Sequence, residues 1–83
     1  MLTVNVRLFA HLRDLVGQRE ITVEMPEGAT VDALRARVAE CYPDARAALG
    51  NVVCAVGEEY VPDTHALREG DLVALIPPVS GGC

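Results

Sequence analysis

Aromatic side chains are almost missing from this chain: there is no tryptophan, and Phe9, Tyr42 and Tyr60 make up the whole aromatic complement. A core must therefore be packed from Val, Leu, Ile and Ala. The 83 residues have room for one domain with one small core and little energetic margin. No apolar run is long enough to span a bilayer, and the N-terminus lacks the basic-then-apolar pattern of an export signal. The expectation is a cytoplasmic chain with no membrane partner. Basic residues are outnumbered, seven against twelve acidic, for a formal net charge of −5. That balance repels phosphate backbones, so no nucleic acid is expected as a partner, and a basic protein surface suits it better. The three cysteines are odd in number and include no close CxxC pair, which fits a reducing compartment and no structural zinc.

Groups for catalysis are equally scarce. His11 and His65 are the only histidines, and neither stands beside a cysteine or a paired carboxylate at ligand spacing. Cys41 is expected on the inward face of a helix and Cys54 within a strand, both as small hydrophobes. Ser80 has no evident general base, the glycines assemble no phosphate-binding loop, and Glu58-Glu59 reads as solvated surface. The domain itself does not read as an enzyme, and no cofactor or metal is expected to be bound by it. Chemistry, if any, is done on this protein by others.

What is present is regular alternation. Leu2, Val4, Val6 and Leu8 face one way and Thr3, Asn5 and Arg7 the other, the period of a strand with one covered face. Phe9 breaks that alternation on the outer side. Residues 10–17 suit one or two helical turns ended by Gly17, with Leu12 and either Leu15 or Val16 inward. Ile21, Val23 and Met25 mark a second strand, antiparallel to the first. After a Pro26-Glu27-Gly28-Ala29 turn, Thr30 caps the main helix, in which Val31, Leu34, Val38 and Cys41 face inward. Asp32, Arg35, Arg37 and Glu40 take its solvent side, and Pro43 stops it. Further strands are expected at 51–56, at Tyr60-Val61 as a short edge, and at 72–76, with Leu67 packing from a loop. An α+β fold follows: a mixed sheet of four to five strands with one main helix across one face. Nothing in the periodicity sets the strand order.

The chain then changes character. Ile76-Pro77-Pro78-Val79-Ser80-Gly81-Gly82-Cys83 reads as the end of a strand, a stiff exit and a thin thread. This divides the chain into a domain at 1–76 and an extended flexible C-terminal tail at 77–83, slim enough to enter a narrow site on another protein.

Several stretches carry a resemblance covering almost the whole chain. They are Val6-Arg7-Leu8-Phe9-Ala10 with Arg13-Asp14-Leu15-Val16-Gly17, Pro26-Glu27-Gly28-Ala29-Thr30-Val31, Val56-Gly57-Glu58-Glu59-Tyr60-Val61, and Gly70-Asp71 leading into the Ile-Pro-Pro-Val-Ser-Gly-Gly ending. In these the chain resembles the molybdopterin synthase small subunits, within the ubiquitin-like β-grasp family of sulfur carriers. The resemblance implies a non-catalytic carrier subunit of a sulfurtransferase in molybdenum cofactor biosynthesis. Gly82 would be the terminus that an adenylating, E1-like partner activates with ATP and magnesium. A sulfur donor protein would convert it to a thiocarboxylate, and the synthase large subunit, in a heterotetramer, would use that sulfur on cyclic pyranopterin monophosphate. Gly81 would keep the tail slim. Phe9 and Ile76 would meet the partner, with Pro77, Pro78, Val79 and Ser80 lining the channel into its site.

The sequence departs from the pattern at one position: Cys83 follows Gly82, so Gly82 carries a peptide bond and no free acid. Cys83 is an engineered or cloning residue, a natural extension for a C-terminal peptidase, or a redox-active thiol. The expectation is that the form bearing Cys83 is not adenylated. Three other readings stand beside this one: a carrier for thiamin thiazole or a similar product, a ubiquitin-like protein modifier, and a non-covalent binding module. The helical segment at 11–16 favours the molybdopterin branch, because thiamin carriers tend to lack it.

Overall fold

A computed structural model describes residues 1–76 of the chain. The first alternation becomes β1 (Leu2–Leu8), whose Leu2, Val4, Val6 and Leu8 are all buried. A seven-residue helix, α1 (Ala10–Val16), follows and ends at Gly17 in the left-handed region, with its N–H donating to the Arg13 carbonyl at 2.8 Å. The chain returns as β2 (Glu20–Met25), antiparallel to β1 from Leu2↔Met25 to Arg7↔Glu20. Leu12 is the apolar residue that α1 sends fully into the core, Val16 packs against its edge, and Leu15 stays exposed.

The main helix α2 (Val31–Cys41) begins where the Thr30 side chain accepts from the Ala33 N–H at 3.4 Å. Val31, Leu34 and Val38 are completely buried against the sheet. A 3-10 turn (Pro43–Ala45) and the short α3 (Arg46–Leu49) follow, adding Ala45 and Leu49 to the core. Then come β3 (Val53–Val56), β4 (Glu59–Val61) and β5 (Leu72–Ile76). The five strands lie in the order β2-β1-β5-β3-β4. Only β1 and β5 are parallel, paired from Asn5↔Leu72 to Leu8↔Leu75, and they occupy the middle of the sheet. The mixed β-grasp sheet with helices on one face is thus as expected, at five strands.

Two expectations about α2 are corrected. Arg35 is not on the solvent side. Its guanidinium holds Asp63 with both nitrogens, at 2.7 and 3.2 Å, and reaches the Cys54 sulfur at 3.7 Å. The reason is the segment after β4, which folds over the start of the helix. There the Val31 and Asp32 N–H groups donate to the His65 and Asp63 carbonyls, at 3.0 and 3.1 Å. The same segment seats Leu67 in the core, as its N–H donates to Ala29 O at 2.8 Å. Free helix N–H groups draw polar backbone to them, and Arg35 is beneath it when it arrives. Cys41 is not inward either but exposed. It is the last residue of the helix, and Tyr42, leaving helical geometry at φ −132° and ψ 77°, turns in and packs against the core in its place.

Leu34 is 0% exposed at the centre of the α2–sheet contact, so truncation leaves a cavity that neighbouring valines fill poorly. Leu34→Ala is expected to cost about 2–5 kcal/mol in chemical denaturation, a large share of what a domain of this size possesses.

Candidate functional site

Helices cover one face of the sheet; among the described residues the other is open. Register places Tyr60, Ala55, Ala74, Arg7 and Glu20 side by side across it, from β4 to β2. Beside that row, Leu72 stands opposite Asn5, and Ile76 opposite Val53. An alternating strand with one covered face would carry polar groups here. β5 instead presents Leu72, Ala74 and Ile76, while Val73 and Leu75 are completely buried on the other side. Phe9, Val53, Tyr60 and Leu72 are each between 39% and 73% exposed, and they supply four of the six large exposed apolar side chains among the described residues. Apolar groups gathered in this way on one face mark an interaction surface.

Phe9, Tyr60, Leu72, Ala74 and Ile76 line a shallow hollow of about 490 Å³, rimmed by Arg7 and by the Gly57-Glu58 turn. The Arg7 guanidinium is engaged by Glu20 at 3.6 Å. Among the described residues, two non-glycine residues have positive φ, and both adjoin this hollow: Ala10 (52°), which follows Phe9, and Glu58 (72°). Such conformations cost about 1–3 kcal/mol each and persist where the surroundings impose them, commonly at functional sites.

Of the residues expected at a partner surface, Phe9 and Ile76 are brought together here. Pro77, Pro78, Val79, Ser80, Gly81, Gly82 and Cys83 lie outside the described residues. Sequence reasoning missed Tyr60, Leu72, Ala74 and Glu58. A usable signal was present: Leu72-Val73-Ala74-Leu75-Ile76 is apolar at every position, so a strand covered on one side must expose the other set.

Elsewhere, no group of three or more His, Cys, Asp or Glu side chains among the described residues is placed to hold a metal ion, and no helix there is long and apolar enough to cross a membrane. Cys54 is buried, and burial pushes its thiol above the ordinary range, partly opposed by the donating Arg35 guanidinium. A low-pKa nucleophile needs the opposite shift. The raised folded pKa contributes stability that is present below the unfolded thiol's pKa and lost as pH rises through the folded one. Under native conditions a thiol reagent is expected to label Cys41 promptly and Cys54 only after unfolding. Peptide mapping of the labelled protein checks this.

The ThiS family model matches residues 6–82 of the chain. The molybdopterin synthase sulfur carrier subunit of Chlamydomonas reinhardtii is 38% identical over 81 residues, covering 95% of this chain and 98% of that one. Among solved structures, the putative molybdopterin converting factor subunit 1 of Pyrococcus furiosus superposes with a TM-score of 0.86 at 31% identity, over 95% of this chain and all of that one. A chain in the protein-protein complex of subunits 1 and 2 of the molybdopterin-converting factor from Helicobacter pylori shares the fold, with a TM-score of 0.69 at 23% identity, over 98% and 100% of the two chains. By its ThiS match across most of its length, and by its identity to carriers of nearly equal length, the chain belongs to the ThiS family, on the molybdopterin synthase sulfur-carrier branch.

Proposed function

We propose that this chain carries sulfur for molybdopterin synthesis on Gly82, and that the open sheet face is the handle by which the synthase large subunit holds it. The observation carrying this reading is where the central strand ends. Ile76, the last residue of β5, lines the same hollow as Phe9, so a partner seated there lies beside the residue from which the last segment of the sequence continues. Gly82 is six positions further on, a span of at most about 20 Å. Family membership and the two-subunit assembly of the Helicobacter pylori relative support the same reading.

The chemistry follows from the weakness of a carboxylate as an electrophile. An adenylating partner using ATP and magnesium joins the Gly82 carboxylate to AMP and releases pyrophosphate. The terminal sulfur of a donor protein's persulfide displaces AMP, giving an acyl disulfide. A second thiol then attacks the donor's sulfur, takes the two electrons' worth of oxidation as a disulfide, and leaves the thiocarboxylate. In the large subunit that sulfur passes to cyclic pyranopterin monophosphate, and hydrolysis returns the glycine carboxylate. Gly81 and Gly82 fit a closed site in which any Cβ would compete for space. All seven basic residues are arginines, so no lysine amine of this chain competes for its own activated acyl group.

With Cys83 attached, Gly82 is an amide and offers no acid. The reacting form therefore ends at Gly82, with Cys83 absent or removed. Incubation with the activating enzyme, ATP, magnesium and a sulfur donor is expected to add the sulfur-for-oxygen mass difference to chain ending at Gly82 and to leave chain ending at Cys83 unchanged, by intact mass. The same gain on uncleaved chain overturns the assignment.

A further inference from the structure

The β3–β4 turn beside the open face is strained, and its cost falls on a charged residue. Val56↔Glu59 closes the hairpin, so Gly57 and Glu58 are its two central residues, at φ 58° and 72°. A two-residue turn with both centres left-handed favours Asn-Gly or Gly-Gly, in which neither residue is penalised for its Cβ. A Cβ on Gly57 would meet nothing within 4 Å, so that position is restricted by its positive φ and by no neighbouring atom. Glu58 nevertheless occupies the second position. It rims the apolar hollow, whereas its neighbour Glu59 lies against a different depression, beside His65 and Arg68. Among the described residues the Glu58 carboxylate enters no ion pair and no side-chain hydrogen bond, whereas Arg7 across the hollow is held by Glu20. The hollow therefore presents an apolar floor with one uncommitted negative charge at its edge.

We propose that Glu58 is the specificity-determining charge of this face: its carboxylate pairs with a cationic side chain of the large subunit as Phe9, Leu72 and Ile76 are covered. The proposal rests on the reading of the open face as the large subunit's docking surface. An apolar patch alone has little power to choose partner or register, and a single rim charge supplies both while speeding encounter. The net charge of −5 directs the same partner chemistry, a positively charged rim, toward this surface.

The test separates turn from charge. Glu58→Gly relieves the left-handed strain and removes the carboxylate; Glu58→Gln removes the charge and keeps the strain. With purified large subunit at low salt, both variants are expected to associate about tenfold more slowly than the parent, with the difference shrinking as salt rises. Glu58→Gly is expected at the same time to melt at a higher temperature than the parent. A residue serving only the turn gives the reverse pattern, with Glu58→Gly binding at least as well. Parental association rates in both variants overturn the proposal. Leu72→Glu, on the floor of the hollow, tests the reading beneath it. If that variant binds normally, the face is not the docking surface; if it fails to bind while both Glu58 variants are normal, the face stands and the Glu58 contact falls.

Discussion

The parallel pairing of β1 with β5 is the constraint on which the remainder depends. Parallel neighbours need a long connection, and here everything between residues 9 and 71 is that connection. Because the two strands lie in the middle of the sheet, the first and last parts of the folded sequence form its centre. β2 flanks them on one side and the β3–β4 pair on the other, and α2 crosses beneath. Val4, Val6, Val73 and Leu75 are completely buried for that reason. Both strands run toward the same end, so Phe9, which follows β1, and Ile76, the last residue of β5, come together there.

The open face follows from the same arrangement. β5 is apolar at every position, with Val73 and Leu75 buried in the core and Leu72, Ala74 and Ile76 on the open side. The free edges are handled differently. On β2 the outward residues are Glu20, Thr22 and Glu24, and β4 is three residues long with Pro62 next in sequence. Charge on an edge, shortness and proline all discourage an added strand, so the two edges are poor templates for pairing and the exposed apolar side chains gather on the face between them.

Polar interactions have a narrower task. Arg35 ties α2 to Asp63 and touches Cys54, and the backbone of the segment after β4 satisfies the first amides of the helix. These contacts hold an otherwise irregular segment against the fold, so that Leu67 can fill the core from it. They sit on the helix side, opposite the hollow; on the open face the polar side-chain contacts between β1 and β2 are the Arg7–Glu20 pair and the Thr22 hydroxyl donating to Asn5 Oδ1.

Sequence alone determined the alternation of β1 and β2, the inward stripe of α2 with its Thr30 cap, the Gly17 and Pro43 stops, and the Gly-Gly ending, because each depends on neighbours within a few positions. Phe9 was legible as a break in the alternation of β1, and family resemblance named it together with Ile76. Tertiary structure decided the strand order, the partial covering of Arg35 and the exposure of Cys41, since each depends on how the chain packs beyond its immediate neighbours. It also decided that Phe9, Tyr60, Leu72 and Ile76 share one hollow with Glu58 on its rim. Periodicity tells which side of a strand is apolar, but only the sheet's pairing says which apolar sides become neighbours.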